Sequence, residues 1–101
     1  MSDFFLSEKE HIENIKRKRP DLYKLLSNPT PKARLAGNIY RLRNAKEITQ
    51  KELADRAGIG LKTFQRIETA QPDSNPTQDV IEGLAKALKV DIQELYKPIE
   101  I

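Results

Sequence analysis

The sequence predicts an all-α chain: a domain of five helices behind a short helical N-terminal arm. Three observations carry that reading. Alternating β-branched residues do not run over any useful stretch, so the period-two signature of a strand is missing. Leucine, isoleucine and alanine instead recur at spacings of three and four. Helix-starting residues stand before several of these runs, and glycine or proline stands where they end. A chain of 101 residues buries roughly 60–65% of the surface it exposes when unfolded, enough for one core. It is too short for a TIM barrel or a dinucleotide-binding fold of the usual size.

In chain order, Ser7-Glu8-Lys9-Glu10 has the form of a capping box, with Ile12 and Ile15 following at helical spacing. This first arm helix should end before Pro20, because the residue before a proline avoids helical angles. A short second stretch of helix carries Leu22, Leu25 and Leu26. Asn28-Pro29-Thr30-Pro31 reads as a linker in which Thr30 caps the next helix and Pro31 takes its first position. The expected division is therefore an arm and linker over 1–29 and a domain over 30–101. In the domain, Leu35, Ile39 and Leu42 make residues 32–45 an amphipathic helix. Thr49-Gln50-Lys51-Glu52 is a second capping box, opening a helix with Leu53, Ala54 and Ala57 that Gly58 stops as a left-handed residue. After Ile59 and Gly60, Leu61, Phe64 and Ile67 mark a third helix. Pro72 to Pro76 is a loop by composition. Thr77 caps a fourth helix bearing Val80, Ile81, Leu84 and Leu88, and Asp91 caps a short fifth with Leu95 and Tyr96.

Composition excludes several classes of function. The absence of cysteine removes disulfides, thiolate zinc sites and cysteine nucleophiles. One histidine, His11, leaves no histidine-based metal cluster, and its place on a polar helix reads as a surface position. No apolar run has the length of a membrane span. Phe4-Phe5-Leu6 is too short for a signal peptide, so the expected compartment is the cytoplasm and no membrane partner is expected. Asp79 and Glu82 have no base or nucleophile beside them, and no enzyme activity or cofactor is expected. The net charge of +3 hides a gradient: +1 over 1–30, +5 over 31–70 and −3 over 71–101. A basic middle calls for a polyanion, of which nucleic acid is the commonest.

Two helices joined by about three residues around a glycine form the layout of a helix-turn-helix. The second helix must cross the first closely, and Ala54, four residues before Gly58, leaves the room. With Phe64 and Ile67 as anchors, the outward positions of the third helix are Leu61, Lys62, Gln65, Arg66 and Thr69. Lysine and arginine there reach both phosphates and guanine edges.

From about Asn38 to Tyr96 the chain resembles the phage-repressor and Cro type of helix-turn-helix, the XRE family. The residues that carry the likeness are "NIYRLRNAKEITQKELADRAGIGLKTFQRIE" and "NPTQDVIEGLAKALKVDIQELY". The resemblance implies double-stranded DNA as partner. It implies that Gln50 touches a phosphate, that Leu61, Lys62 and Thr63 face base edges, that Arg66 points the same way one turn later, and that Thr69 approaches the second phosphate backbone. It also implies a structural ion pair between Arg43 and Glu68. The chain departs from the family at four points. Gly60 replaces the usual serine or threonine cap, Leu61 replaces a polar reader, Ala70 replaces a glycine, and the loop from Glu68 to Pro76 is longer and carries Asp73 in place of a basic residue.

The function these features imply is a sequence-specific DNA-binding transcriptional regulator, a repressor acting as a homodimer on a palindromic operator. Two other readings stay open on sequence alone. One is an antitoxin whose arm 7–27 grips a small toxin partner. The other is a protein-interaction module with a decayed DNA face, which Leu61 and the acidic loop favour and Lys62 with Arg66 oppose. The basic run Lys16 to Arg19 reads either as a DNA-binding arm or as cations favoured by a helix C-terminus. Tyr96, Ile99 and Ile101 read either as a dimer patch or as a tail folded back on the core.

Overall fold

Hydroxyl caps start three of the described helices, and a carboxylate starts the last turn. The computed structural model describes residues 8–27 and 30–99. Among them are six α-helices and no strand: α1 (Glu8–Lys18), α2 (Pro20–Leu26), α3 (Pro31–Ala45), α4 (Gln50–Ala57), α5 (Leu61–Glu68) and α6 (Gln78–Leu88), followed by a 3-10 turn (Ile92–Tyr96). Thr30, Thr49 and Thr77 each accept a backbone N–H three residues on, at 3.2, 3.1 and 3.3 Å. Each satisfies a donor that has no partner inside the helix. At α4 the box closes reciprocally, because Glu52 accepts from the Thr49 N–H at 3.2 Å. Those Thr49 bonds hold the Glu52 carboxyl below its ordinary value. Ser7 and the linker residues Asn28 and Pro29 lie outside the described residues.

The last element differs from the expected fifth helix. It has five residues, Ile92–Tyr96, and is 3-10 rather than α. Asp91 does cap it, accepting from Gln93 N–H at 3.2 Å. Pro98 forces Lys97 into an extended conformation (φ −58°, ψ 134°) and ends the helix before an α turn is established.

The apolar residues form two clusters. The larger joins Leu35, Ile39 and Leu42 of α3 to Leu53 and Ala54 of α4, Phe64 and Ile67 of α5, Ile81, Leu84 and Leu88 of α6, and Leu95. This is the core of the helix-turn-helix part. Gly83 lets α6 lie close on α4, since a Cβ there would stand 3.1 Å from the Ala57 carbonyl. The second cluster lies on the other face of α3 and joins Ile15, Leu22 and Leu26 to Ala33, Ala36, Tyr40 and Ile99. The arm is therefore docked on α3.

On this side of the molecule one expectation is corrected and one open alternative is decided for Ile99. His11 is buried, not on the surface, because it shares a helix face with Ile15 four residues on. Ile99 folds back on the arm, while Ile101 lies outside the described residues. The fold-back is directed by Asn38, fully buried, which donates to the Leu95 and Lys97 carbonyls at 3.0 and 2.9 Å. Gly37 lies against the same residue: a Cβ there would come within 2.7 Å of Ile99 Cδ1, so that methyl would have to turn aside. Of the three arm leucines, Leu22 and Leu26 are buried and Leu25 stays exposed.

Leu22 has no exposed surface, and a leucine-to-alanine change at such a site costs about 2–5 kcal/mol. Leu22→Ala should lower the urea midpoint of the whole chain accordingly. Unchanged unfolding would show that the arm contributes nothing to the folded unit.

Candidate nucleic-acid interface

The turn between α4 and α5 is built as its residues require. Gly58 adopts left-handed angles (φ 73°, ψ 29°), which cost a side-chain-bearing residue about 1–2 kcal/mol. The Ile59 N–H then donates to the Ala54 carbonyl at 3.0 Å, closing the end of α4. Gly60 starts α5 without a side-chain cap. Ala54 is almost fully buried, so its small side chain leaves room for the crossing.

On α5, Phe64, Ile67 and Glu68 face inward, while Leu61, Lys62, Thr63, Gln65 and Arg66 face solvent. Leu61 is 40% exposed, which is unusual for a large apolar side chain. Gln50, Lys62, Arg66 and Thr69, together with Gln65 and Gln71, line one shallow polar depression of about 420 Å³. Leu61 and Thr63 do not line it. They stand on the exposed first turn of the same helix.

Beneath this surface Glu68 collects bonds from three elements. It is 1% exposed. Arg43 of α3 donates to it twice, Nε to Oε2 at 2.8 Å and Nη2 to Oε1 at 3.2 Å. The same guanidinium donates to the Ile48 carbonyl at 3.0 Å. Gln50 of α4 donates to Glu68 Oε1 at 2.8 Å and accepts from Gln65 at 3.2 Å. A continuous chain of bonds thus runs from the core to the exposed face of α5. The Gln50 side chain is engaged within the protein and sets the position of Gln65.

The segment after α5 bears the mark of the sequence's departures. Ala70, where relatives of this type have glycine, sits at φ 51°, a left-handed conformation that strains an alanine. Asp73 pairs with Arg66 on the surface. Thr69 donates to the Gln65 carbonyl at 2.7 Å and accepts from Gln71 at 3.2 Å. Lys32 crosses from α3 to the Pro72 carbonyl at 2.6 Å.

Sequence reasoning missed Arg19 and Tyr40. Arg19 donates to the Glu68 carbonyl at 3.0 Å. Arg19 and Arg43 both lie over the Tyr40 ring, 5.0 and 5.6 Å from its centre. The one available signal was that Tyr40 precedes Arg43 by three, which puts both on one side of α3.

Family comparison matches the chain over residues 39–95 to the helix-turn-helix model of the Cro/repressor type. The chain belongs to that family. Its members bind DNA, and the matched stretch contains α4, the glycine turn, α5 and α6. No curated protein and no solved structure matches the chain. Among the described residues no helix is long and apolar enough to cross a membrane.

A buried carboxylate left without its cation is costly. Arg43→Ala and Glu68→Ala should each destabilise the chain by about 3–5 kcal/mol. The double variant should lose clearly less than the two separate losses together. Small and strictly additive losses in denaturant titrations would contradict this.

Proposed function

We propose that the chain is a sequence-specific transcriptional regulator, a repressor that acts as a homodimer on a palindromic operator. The observation that carries the reading is the solvent-facing side of α5, where Lys62 and Arg66 stand free of the core on a helix fixed from behind by Glu68. In this reading Leu61, Lys62 and Thr63 approach base edges in the major groove, and Arg66 reaches the same groove one turn later. Gln50 and Thr69 lie at the two rims, beside the phosphate backbones. Lysine and arginine there donate to guanine O6 and N7, and Leu61 offers apolar contact to a thymine methyl. One such helix reads only a few base pairs, so two copies on half-sites about one helical turn apart supply the specificity.

We read residues 30–101 as the DNA-binding unit and residues 1–29 as an arm that braces it. Burial of Ile15, Leu22 and Leu26 within the same chain supports a brace over a limb kept open for a toxin partner. Selecting bound sites from random duplex DNA with the full chain tests the function. A palindromic enriched site supports both sequence specificity and the two-fold arrangement, whereas no enrichment overturns the reading.

Lys62→Ala with Arg66→Ala should abolish preference for the selected site while leaving helical content intact. Each good bidentate base contact carries about 1–3 kcal/mol of discrimination. Binding as tight as wild type would remove α5 from the reading role. Asp73 holds Arg66 in the free protein, and both side chains are exposed. Asp73→Asn should therefore strengthen duplex binding, most visibly at low salt, where exposed charges are least screened. Filter binding across a salt series checks this, and an unchanged or weakened affinity would contradict it.

A further inference from the structure

The segment that follows Arg66 brings no cation of its own to the C-terminal side of the reading helix, and Lys32 of α3 is engaged there with the Pro72 carbonyl. Residues 67–85 contain no lysine or arginine. The acid in the loop, Asp73, occupies Arg66. Yet a duplex seated on α5 presents a phosphate backbone on this side as well as on the side of Gln50.

The arm stands at that place. Arg19, at the corner between α1 and α2, donates to the carbonyl of Glu68, the last residue of α5, at 3.0 Å. Its side chain is 16% exposed and its guanidinium lies over Tyr40. The corner is therefore held next to Thr69, which lines the polar depression of the reading face with Gln71. The residues that lead into this corner are Lys16, Arg17 and Lys18, the last turn of α1, and all three are exposed. Lys16 lies over the Tyr23 ring. Arg17 and Lys18 have no ion-pair partner among the described residues.

We infer that Lys16, Arg17 and Lys18 form a second phosphate-binding surface, which grips the backbone of the same duplex beyond the C-terminal end of α5. The inference rests on the DNA-binding reading above and extends it to a part of the chain outside the matched family region. Two arguments select this occupant. The charge is complementary, and the Arg19–Glu68 bond fastens the corner that directly follows these cations to the last residue of α5. Arg19 is a positioning residue here: it fixes the corner, and its donors go to the Glu68 carbonyl and to Asp21, the exposed acid at the corner, with which it pairs. The alternative is that these cations only complement the C-terminal dipole of α1, a contribution of about 0.3–1 kcal/mol to stability. That role would alter melting and leave the salt dependence of DNA binding untouched.

The test compares full-length Arg17→Gln/Lys18→Gln with wild type on two duplexes, the one obtained by selection and one of unrelated sequence. Affinity is measured by fluorescence anisotropy across a salt series. Each phosphate contact contributes about 0.9 to the slope of log affinity against log salt. The slope should therefore become shallower by about 2. Affinity should fall by the same factor on both duplexes, with their ratio preserved. Lys86→Gln/Lys89→Gln serves as a control of equal charge change. Those residues lie at the far end of α6, which packs on α4 and the 3-10 turn, and the slope should not move. An unchanged slope in the arm variant, or an equal change in the control, overturns the second surface while wild-type binding stands. A wild-type chain that binds neither duplex overturns the DNA reading itself, and this inference with it.

Discussion

Glu68 is the junction on which the rest of this structure depends. A carboxylate that is 1% exposed has lost nearly all its water, a cost of several kcal/mol unless charge and hydrogen bonds replace it. Here both oxygens are used, by Arg43 from α3 and Gln50 from α4, while the backbone carbonyl takes Arg19 from the arm. Hydrogen bonds to a charged group contribute about 1.5–3 kcal/mol each. The arrangement works only with all its donors in place, so three separate segments are committed to one residue at the end of α5. Apolar packing of Phe64 and Ile67 holds α5 against the core, but such packing is non-directional. The angle and register of the exposed face come from the directional bonds around Glu68.

The helix-turn-helix part was largely legible in the sequence because its signals are local. A threonine before a helix, a glutamate three residues later and a glycine at the end act through neighbouring backbone atoms. Thr49, Glu52 and Gly58 behave as such spacing requires. The pairing of Arg43 with Glu68 comes from the family resemblance, and their places beside an apolar stripe are compatible with it. The arm was legible only as helices. What its side chains touch depends on residues far along the chain: Arg19 meets Glu68, and Ile15, Leu22 and Leu26 share a cluster with Ile99. No local pattern encodes such contacts. His11 looked solvent-facing for the same reason, since a polar helix gives no sign of the surface that will cover one side of it. The cap at Asp91 marks the start of the last helix, but its 3-10 form is not legible from a cap, which acts only on the first turn.

The departures from the family pattern form a connected set. Alanine at position 70 accepts left-handed angles that glycine would adopt without strain. The longer loop that follows carries Asp73, whose carboxylate neutralises Arg66 at the exposed face. Leu61 replaces hydrogen bonding with apolar surface at the tip of the same helix. Asp73 and Leu61 lower the polar attraction of this face for a polyanion, and Arg19 of the arm is bonded to the end of the same helix.

The bond pattern around Asn38 also has a consequence in time. By gripping the carbonyls of Leu95 and Lys97, Asn38 delivers Ile99 to a cluster whose other members begin at Ile15. That cluster closes a loop of nearly the whole chain, and long loops close late because their ends must find each other at an entropic cost. The contacts among α4, α5 and α6 join residues much nearer in sequence. Ile15, Leu22 and Leu26 meet Ala33, Ala36 and Tyr40 of α3 over short separations, so only the part of the cluster that Ile99 covers depends on this long closure. Asn38 thus ties the two ends of the described chain to one helix, and the cluster around Phe64 is closed without either of them.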